Sequence, residues 1–497
     1  MGDTVTNAQH DAQRTAQQKT QQEVPAKALR KAQPGQGTAG QLVPVLEDLL
    51  GAELPIRLRT WDGGEAGPAG APVLELRNRR ALRHLIWRPD ELGLARAYVS
   101  GDLEIPEDSD LYEVLDAVVL LVEQTNAASL RPSAREMFGP QGRRLLRTAI
   151  GAGAIGPRPP LPPEEATRVK VAGARHSLMR DRRAISHHYD VGNDFYRLVL
   201  GPSMVYSCAY WPTGTHTLEA AQEAKLDLIC RKLGLHPGMR LLDVGCGWGS
   251  LLLHAAEHYG VEGVGVTLST EQARGARERI EEAGLSDRLT VRLQDYREVD
   301  DGPYDAISSI GMAEHVGSEQ FRRYGTQLYG LLRPGGRLLN HQIARRPNLP
   351  GERYRISPFI AAYVFPDGDL APVGQTVSLL EESGFEIRDV ESLREHYALT
   401  LRAWVTNLEA DWDRAVKLST LGRARVWRLY MAASALAFEQ NRIGVNQILA
   451  VRTGTDGDSG LPPSREEWLD RVVGPGTPGT DGSSDAGSGA ASGGASA

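Results

Sequence analysis

The chain has 497 residues, 41% of them hydrophobic, and a formal net charge of −7. That is enough apolar material for two or three packed domains, and the charge argues against a protein that binds nucleic acid through bulk positive charge. Cys208, Cys230 and Cys246 stand without CxxC spacing, which points to a reducing compartment and gives no metal-ligand set.

Residues 1–40 are rich in Gln, Ala and Thr and cannot bury enough surface to order themselves, so a disordered tail is expected there. Residues 41–152 mix short strand-like runs ("PIRLRTW", "PVLELRN") with helical periodicity ("LARAYVSGDLE", "LYEVLDAVVLLVEQ"), which predicts a small α+β domain. "GAGAIGPRPPLPP" then breaks regular structure and opens a linker over 153–183. Between Arg131 and Arg183 there are twelve Lys or Arg against four Asp or Glu. Such an excess reads equally as a solvated hinge or as a surface for an anionic partner such as phospholipid.

From 184 to 452 apolar strands alternate with amphipathic helices: "RLLDVGCG", "SLLLHAAEHYG", "VEGVGVTL", "STEQARGARERIEEAG", "LTVRLQD", "YDAISSIG", "FRRYGTQLYGLL" and "GRLLNHQIA". Strands buried on both faces and joined by helices predict an α/β, Rossmann-like, doubly wound parallel sheet, with ligands at the carboxyl ends of the strands. Residues 453–497 are expected to be a mostly disordered tail. No run is long and apolar enough to cross a membrane and no apolar signal core opens the chain, so a cytoplasmic protein is expected.

The strand "LLDV" runs into Gly245-x-Gly247-x-Gly249, where missing Cβ atoms let the backbone turn and approach a ligand. The third glycine comes one residue too early for a dinucleotide fingerprint, and Asp243 precedes the first. That arrangement is the one used by class I S-adenosylmethionine-dependent methyltransferases. At the end of the next strand Thr267 and Gln272 are candidates for the ribose hydroxyls. Ser269-Thr-Glu-Gln272 also reads as a capping box, and both roles can hold together. After the third strand, Asp295 and Tyr296 are candidates for the adenine amino group and ring face. "SIGMAEHVG" sets Glu314 and His315 side by side just past the fourth strand.

"HHYDVGNDFYRLVLGPSMVYSCAYW", "LLDVGCGWGS", "TLSTEQ", "SIGMAEHVG", "NHQI", "YVFPDGDLAP" and "HYALTLRAW" together resemble the cyclopropane-fatty-acyl-phospholipid synthases and mycolic acid cyclopropane synthases, in the same order. The resemblance is strong over 184–452 and weaker over 40–150, where it implies a lipid-associated N-terminal domain. It implies a bicarbonate ion that acts as base beside the sulfonium, held by Cys208, Glu314, His341, Tyr397 and the backbone amide of Ile343. It adds Tyr206 and Ser207 to the cofactor set, assigns His315 to orienting its turn, and leaves Tyr206, Tyr397 and Trp404 as aromatic faces for a carbocation.

The implied reaction transfers a one-carbon unit from S-adenosylmethionine to the cis double bond of an unsaturated phospholipid, at the inner face of the membrane. Cyclopropane is the first product and a methylene or methyl branch the alternative. A small-molecule methyltransferase and a catalytically dead binding module are more remote. A homodimer is compatible with this reading, and a branched product would call for a reductase partner. One departure stands out: Ala313 occupies a position that is bulky in the family, "MAEHVG" in place of "MFEHVG".

Overall fold

The computed structural model describes residues 37–124, 139–165, 192–348, 354, 356–366 and 368–469. The disorder expected before residue 37 and beyond 469 falls outside them. The described chain forms two compact units.

The first unit comprises the described residues of Met1–Lys170, Pro350–Pro366 and Leu401–Gln440. Its four-stranded sheet has the order β2-β1-β3-β4, built from β1 (Arg57–Thr60), β2 (Glu65–Ala66), β3 (Val73–Leu76) and β4 (Leu103–Glu104). The expected strands and the helix Leu111–Gln124 are all present. The linear boundary at 184–452 differs from this division, because two later segments belong with the N-terminal residues. The reason lies in specific bonds. Arg96 makes a bidentate pair with Glu165 at 2.8 and 2.6 Å, Tyr363 donates to the same carboxylate, and Arg425 donates to the Tyr98 carbonyl. Trp404 is fully buried and falls in this unit.

The second unit carries a seven-stranded sheet of order β10-β11-β9-β8-β5-β6-β7. Its members are β5 (Arg240–Val244), β6 (Glu262–Thr267), β7 (Leu289–Leu293), β8 (Tyr304–Ile310), β9 (Leu332–Arg345), β10 (Glu386–Ser392) and β11 (Ile443–Val451). Adjacent residues of a strand serve opposite faces. Leu241, Ala306, Leu339 and Leu449 join one core layer, while Leu242, Ile307, Leu338 and Ile448 join the other. Helices Leu218–Leu233, Ser250–Tyr259 and Thr270–Glu282 cover the first layer; Phe321–Leu331 and Val373–Glu382 cover the second.

From β7 to β9 the sheet is parallel, as expected, but β11 and β10 are antiparallel, which makes it a mixed sheet. β10 alternates between half-buried and exposed residues, as suits an edge, so it lacks the continuous apolar run that marks the central strands. Residues 453–469, expected as tail, are partly packed: Trp468 is buried in the first core layer, with Leu461 and Leu469 against it. The strand order reverses between β5 and β8, opening a crevice at their carboxyl ends.

Candidate active site

β5 delivers Asp243 and the glycine loop to that crevice. Gly245, Gly247 and Gly249 all have positive φ, at 77, 55 and 76°. A Cβ on Gly245 would lie 2.5 Å from the Met312 side chain, whereas one on Gly247 would meet nothing within 4 Å. Gly245 therefore serves close packing, and Gly247 borders open space. Asp243 is buried and accepts from Ser308 Oγ at 2.7 Å. Burial pushes its carboxyl up to about 6, against the pull of Ser308 and of Lys225.

Thr267 and Gln272 are both buried, and the Thr267 hydroxyl donates to Gln272 Oε1 at 2.9 Å. Only half of the capping box forms. Ser269 Oγ accepts from the Gln272 amide, while the Ser269 amide donates to Thr267 and not to the Gln272 side chain. Asp295 is buried with Arg297 forked on it, its Nε and Nη2 each 2.7 Å from a carboxylate oxygen. Any bond from an adenine amino group must share those oxygens. Tyr296 packs edge-on against Tyr324, centroids 5.3 Å apart. Tyr206 packs on Tyr196, which packs on Trp248 of the glycine loop.

The turn after β8 carries Glu314. Ile310 pairs with His341 across β8 and β9, and the Gly311 amide donates to the His341 carbonyl at 2.8 Å, which aligns the turn with the middle of β9. Two residues further, the Ile343 amide donates to Glu314 Oε1 at 2.7 Å. This amide, assigned by resemblance to an anion, is thus committed to Glu314. Glu314 Oε2 and both His341 nitrogens are buried and have no hydrogen-bond partner among the described residues. Leaving such groups bare costs about 1–3 kcal/mol each. Burial pushes the Glu314 carboxyl up to about 7, against the Ile343 amide, and holds His341 down at about 3, a neutral ring. Ala313 is itself buried beside Glu314. The His315 amide donates to the Met312 carbonyl, within the turn His315 was expected to orient.

Cys208 is fully buried, its Sγ 3.1 Å from the Ala209 carbonyl and 3.6 Å from that of Leu393. The same Leu393 carbonyl accepts from the Tyr397 amide, so Cys208 and Tyr397 share an anchor at the start of helix Arg394–Ala410. Desolvation keeps Cys208 a thiol.

One group here is absent from the sequence reading. Lys225, 2% exposed, donates from Nζ to Ser207 Oγ at 2.9 Å, and burial lowers its ammonium to about 8. Cys208, Asp243 and Cys230 face it, and its charge also reaches His341 and His254. It thereby ties the cofactor-side residues to Cys208 and His341. The signal was available: Lys225 interrupts the apolar stripe Leu218, Ala221, Leu226, Ile229 of its helix.

A doubly wound sheet, a glycine loop at its switch point and a buried acid before the first glycine define a class I S-adenosylmethionine-dependent methyltransferase. The family described as mycolic acid cyclopropane synthetase matches residues 176–448, and the chain belongs to it. It is 44% identical over 414 residues to a probable fatty acid methyltransferase of Mycobacterium tuberculosis, covering 82% of this chain and 93% of the relative. It is 39% identical over 288 residues to the cyclopropane-fatty-acyl-phospholipid synthase of Escherichia coli K12, covering 57% of this chain and 72% of that one. A mycolic acid cyclopropane synthase solved in complex with SAH and CTAB is similar at 36% identity and a TM-score of 0.51, covering 54% of this chain and 97% of that one.

Proposed function

We propose that this methyltransferase moves the methyl group of S-adenosylmethionine to the cis double bond of an unsaturated phospholipid acyl chain and closes a cyclopropane ring. The observation that carries the reading is the trio of bare buried atoms, Glu314 Oε2 and the two His341 nitrogens. A small anion with a proton of its own suits them: the protonated Glu314 carboxyl donates from Oε2, the neutral imidazole donates from one nitrogen and accepts with the other, and the Cys208 thiol can donate. Bicarbonate fits, with Glu314, His341, Cys208 and Tyr397 as its holders and the Ile343 amide acting through Glu314. When bound it supplies a base for the proton that must leave the transferred methyl.

The chain's own residues prepare the rest. An alkene is a weak nucleophile and must meet the methyl group in line and away from water. Gly247 leaves room for the methionine portion, and Thr267, Gln272, Asp295 and Tyr296 stand at the ends of β6 and β7 for the nucleoside. Burial keeps Cys208, Glu314 and His341 neutral near pH 7 or below, so no uncompensated charge faces the lipid. Tyr206 and Tyr397 can present aromatic faces to the developing cation.

A second reading, a methylene or methyl branch, is favoured by Ala313 beside Glu314 and by the broader name of the Mycobacterium tuberculosis relative. The anion is tested by assaying turnover in decarbonated buffer. Recovery on adding bicarbonate, lost in Glu314→Gln, is expected; full activity without bicarbonate would remove the anion from the reaction.

A further inference from the structure

The first unit presents a face that the reaction does not use. The helix Arg79–Trp87 and the residues beside it, 77–88, contain five arginines and no acid. Residues 139–163, which hold helix Pro140–Gly151 and the segment after it, contain four arginines and again no acid. The two stretches are bonded together: Arg83 Nε donates to the Gly153 carbonyl at 3.1 Å and Trp87 Nε1 to the Gly156 carbonyl at 3.2 Å.

Apolar side chains are exposed on the same stretches. Ten large hydrophobics stand exposed among the described residues, and five are here: Ile86, Trp87, Leu146, Ile150 and Ile155. Trp87 is 54% and Ile150 60% exposed. The clustering is not an effect of marginal folding, because helix Pro140–Gly151 keeps a proper inner side. Leu145, Thr148 and Ala149 are half-buried and Ala152 is buried, while Arg143, Leu146, Arg147 and Ile150 face out. Arg144 is paired with Asp48, Arg80 with Asp102, Arg77 with Glu75 and Arg88 with Asp90. Arg79, Arg83, Arg143, Arg147 and Arg158 have no carboxylate partner among the described residues.

Apolar and aromatic tips mixed with unpaired arginines suit an interface that is apolar at depth and negative at its rim. A protein partner would have to match both features residue by residue, whereas a bilayer with anionic headgroups offers them everywhere. We propose that this arginine-rich face docks the protein on an anionic phospholipid surface, with Trp87, Ile150 and Ile155 entering the headgroup layer and Arg143 and Arg147 meeting its phosphates. The proposal rests on the reading of the substrate as a phospholipid acyl chain, and it names the surface that brings the enzyme to that substrate.

The test uses the full chain, vesicles of phosphatidylcholine with and without phosphatidylglycerol, and flotation. Wild type is expected to partition onto the anionic vesicles and release with salt. Each basic side chain near such a surface contributes roughly fivefold. Arg143→Gln with Arg147→Gln should therefore weaken partitioning about 25-fold, and Trp87→Ser with Ile150→Ser should abolish it on vesicles of low anionic content. All four positions are exposed, so S-adenosylmethionine affinity serves as the control for folding and should not change.

Turnover on vesicles should fall in step with binding, while turnover on detergent-dispersed lipid stays. Unchanged vesicle partitioning in both double variants overturns the proposal. So does a shift from dimer to monomer in sedimentation without loss of vesicle binding, which would make the face a self-interface. If wild type partitions through this face yet methylates no lipid in either form, the surface stands and the substrate reading fails.

Discussion

Glu314→Gln should make the fold more stable at alkaline pH while stopping turnover. Glu314 is buried, and its carboxyl is pushed from 4.5 up to about 7. Between those values the folded protein holds a proton that the unfolded chain has released, so stability falls as the pH rises from about 4.5 and the loss is complete above about 7. The shift corresponds to about 3 kcal/mol. Glutamine keeps an oxygen for the Ile343 amide and loses the ionisation. Asp243 and His341 also titrate with shifted values, but they are present in both proteins and cancel in the difference.

The assay is guanidinium unfolding of wild type and variant in decarbonated buffer at pH 5 and pH 8. Near-equal stability is expected at pH 5. At pH 8 the variant should be ahead by about 2–3 kcal/mol, within the spread of such electrostatic terms. A variant no more stable than wild type at pH 8 would mean that Glu314 Oε2 already has a partner, and the argument for a bound anion would lose its footing.

Gly247→Ala places a methyl group in open space at φ 55°, a conformation costing an alanine about 1–2 kcal/mol, so the fold should survive while calorimetry shows S-adenosylmethionine affinity reduced at least tenfold. Unchanged affinity would take the loop out of the site. Lys225 loses its charge as the pH rises through about 8, so cofactor affinity in wild type should decline from pH 7 to 9. Lys225→Met should bind more weakly throughout and show no such decline; the same decline in the variant would assign it to another group. Ala313→Phe overpacks a buried position at about 1–3 kcal/mol and displaces Glu314, so it should change the ratio of ring to branched product, read by NMR of the acyl chains. An unaltered ratio would place the product fork elsewhere.

The parallel half of the sheet was legible because β5, β6 and β8 are short, largely apolar segments followed by glycines or amphipathic helices. β10 was not, since an edge strand with alternate exposed residues carries little apolar signal, and in the buried β11 Asn446 and Gln447 interrupt the apolar run. The division of the chain was hidden for another reason. Arg96, Glu165, Tyr363 and Arg425 belong to one unit although they are spread across more than three hundred residues, and no local pattern encodes such pairing.

Within the site, Asp243, the three glycines and Glu314 could be placed from strand ends alone. Cys208, His341 and Tyr397 needed the resemblance, because a buried thiol, imidazole or phenol has no periodic signature. The commitment of the Ile343 amide to Glu314, and of Asp295 to Arg297, is a matter of hydrogen-bond partners that only coordinates reveal. Lys225 could have been found as a charge inside an apolar stripe.

The central claim is tested most directly by incubating the full chain with methyl-13C S-adenosylmethionine, bicarbonate and vesicles of an unsaturated phospholipid, then recording NMR spectra of the released acyl chains. The 13C label is predicted in an upfield cyclopropyl methylene. Label in an olefinic exomethylene carbon would contradict ring closure and support the branched product, and acyl chains without label would contradict lipid methyl transfer altogether.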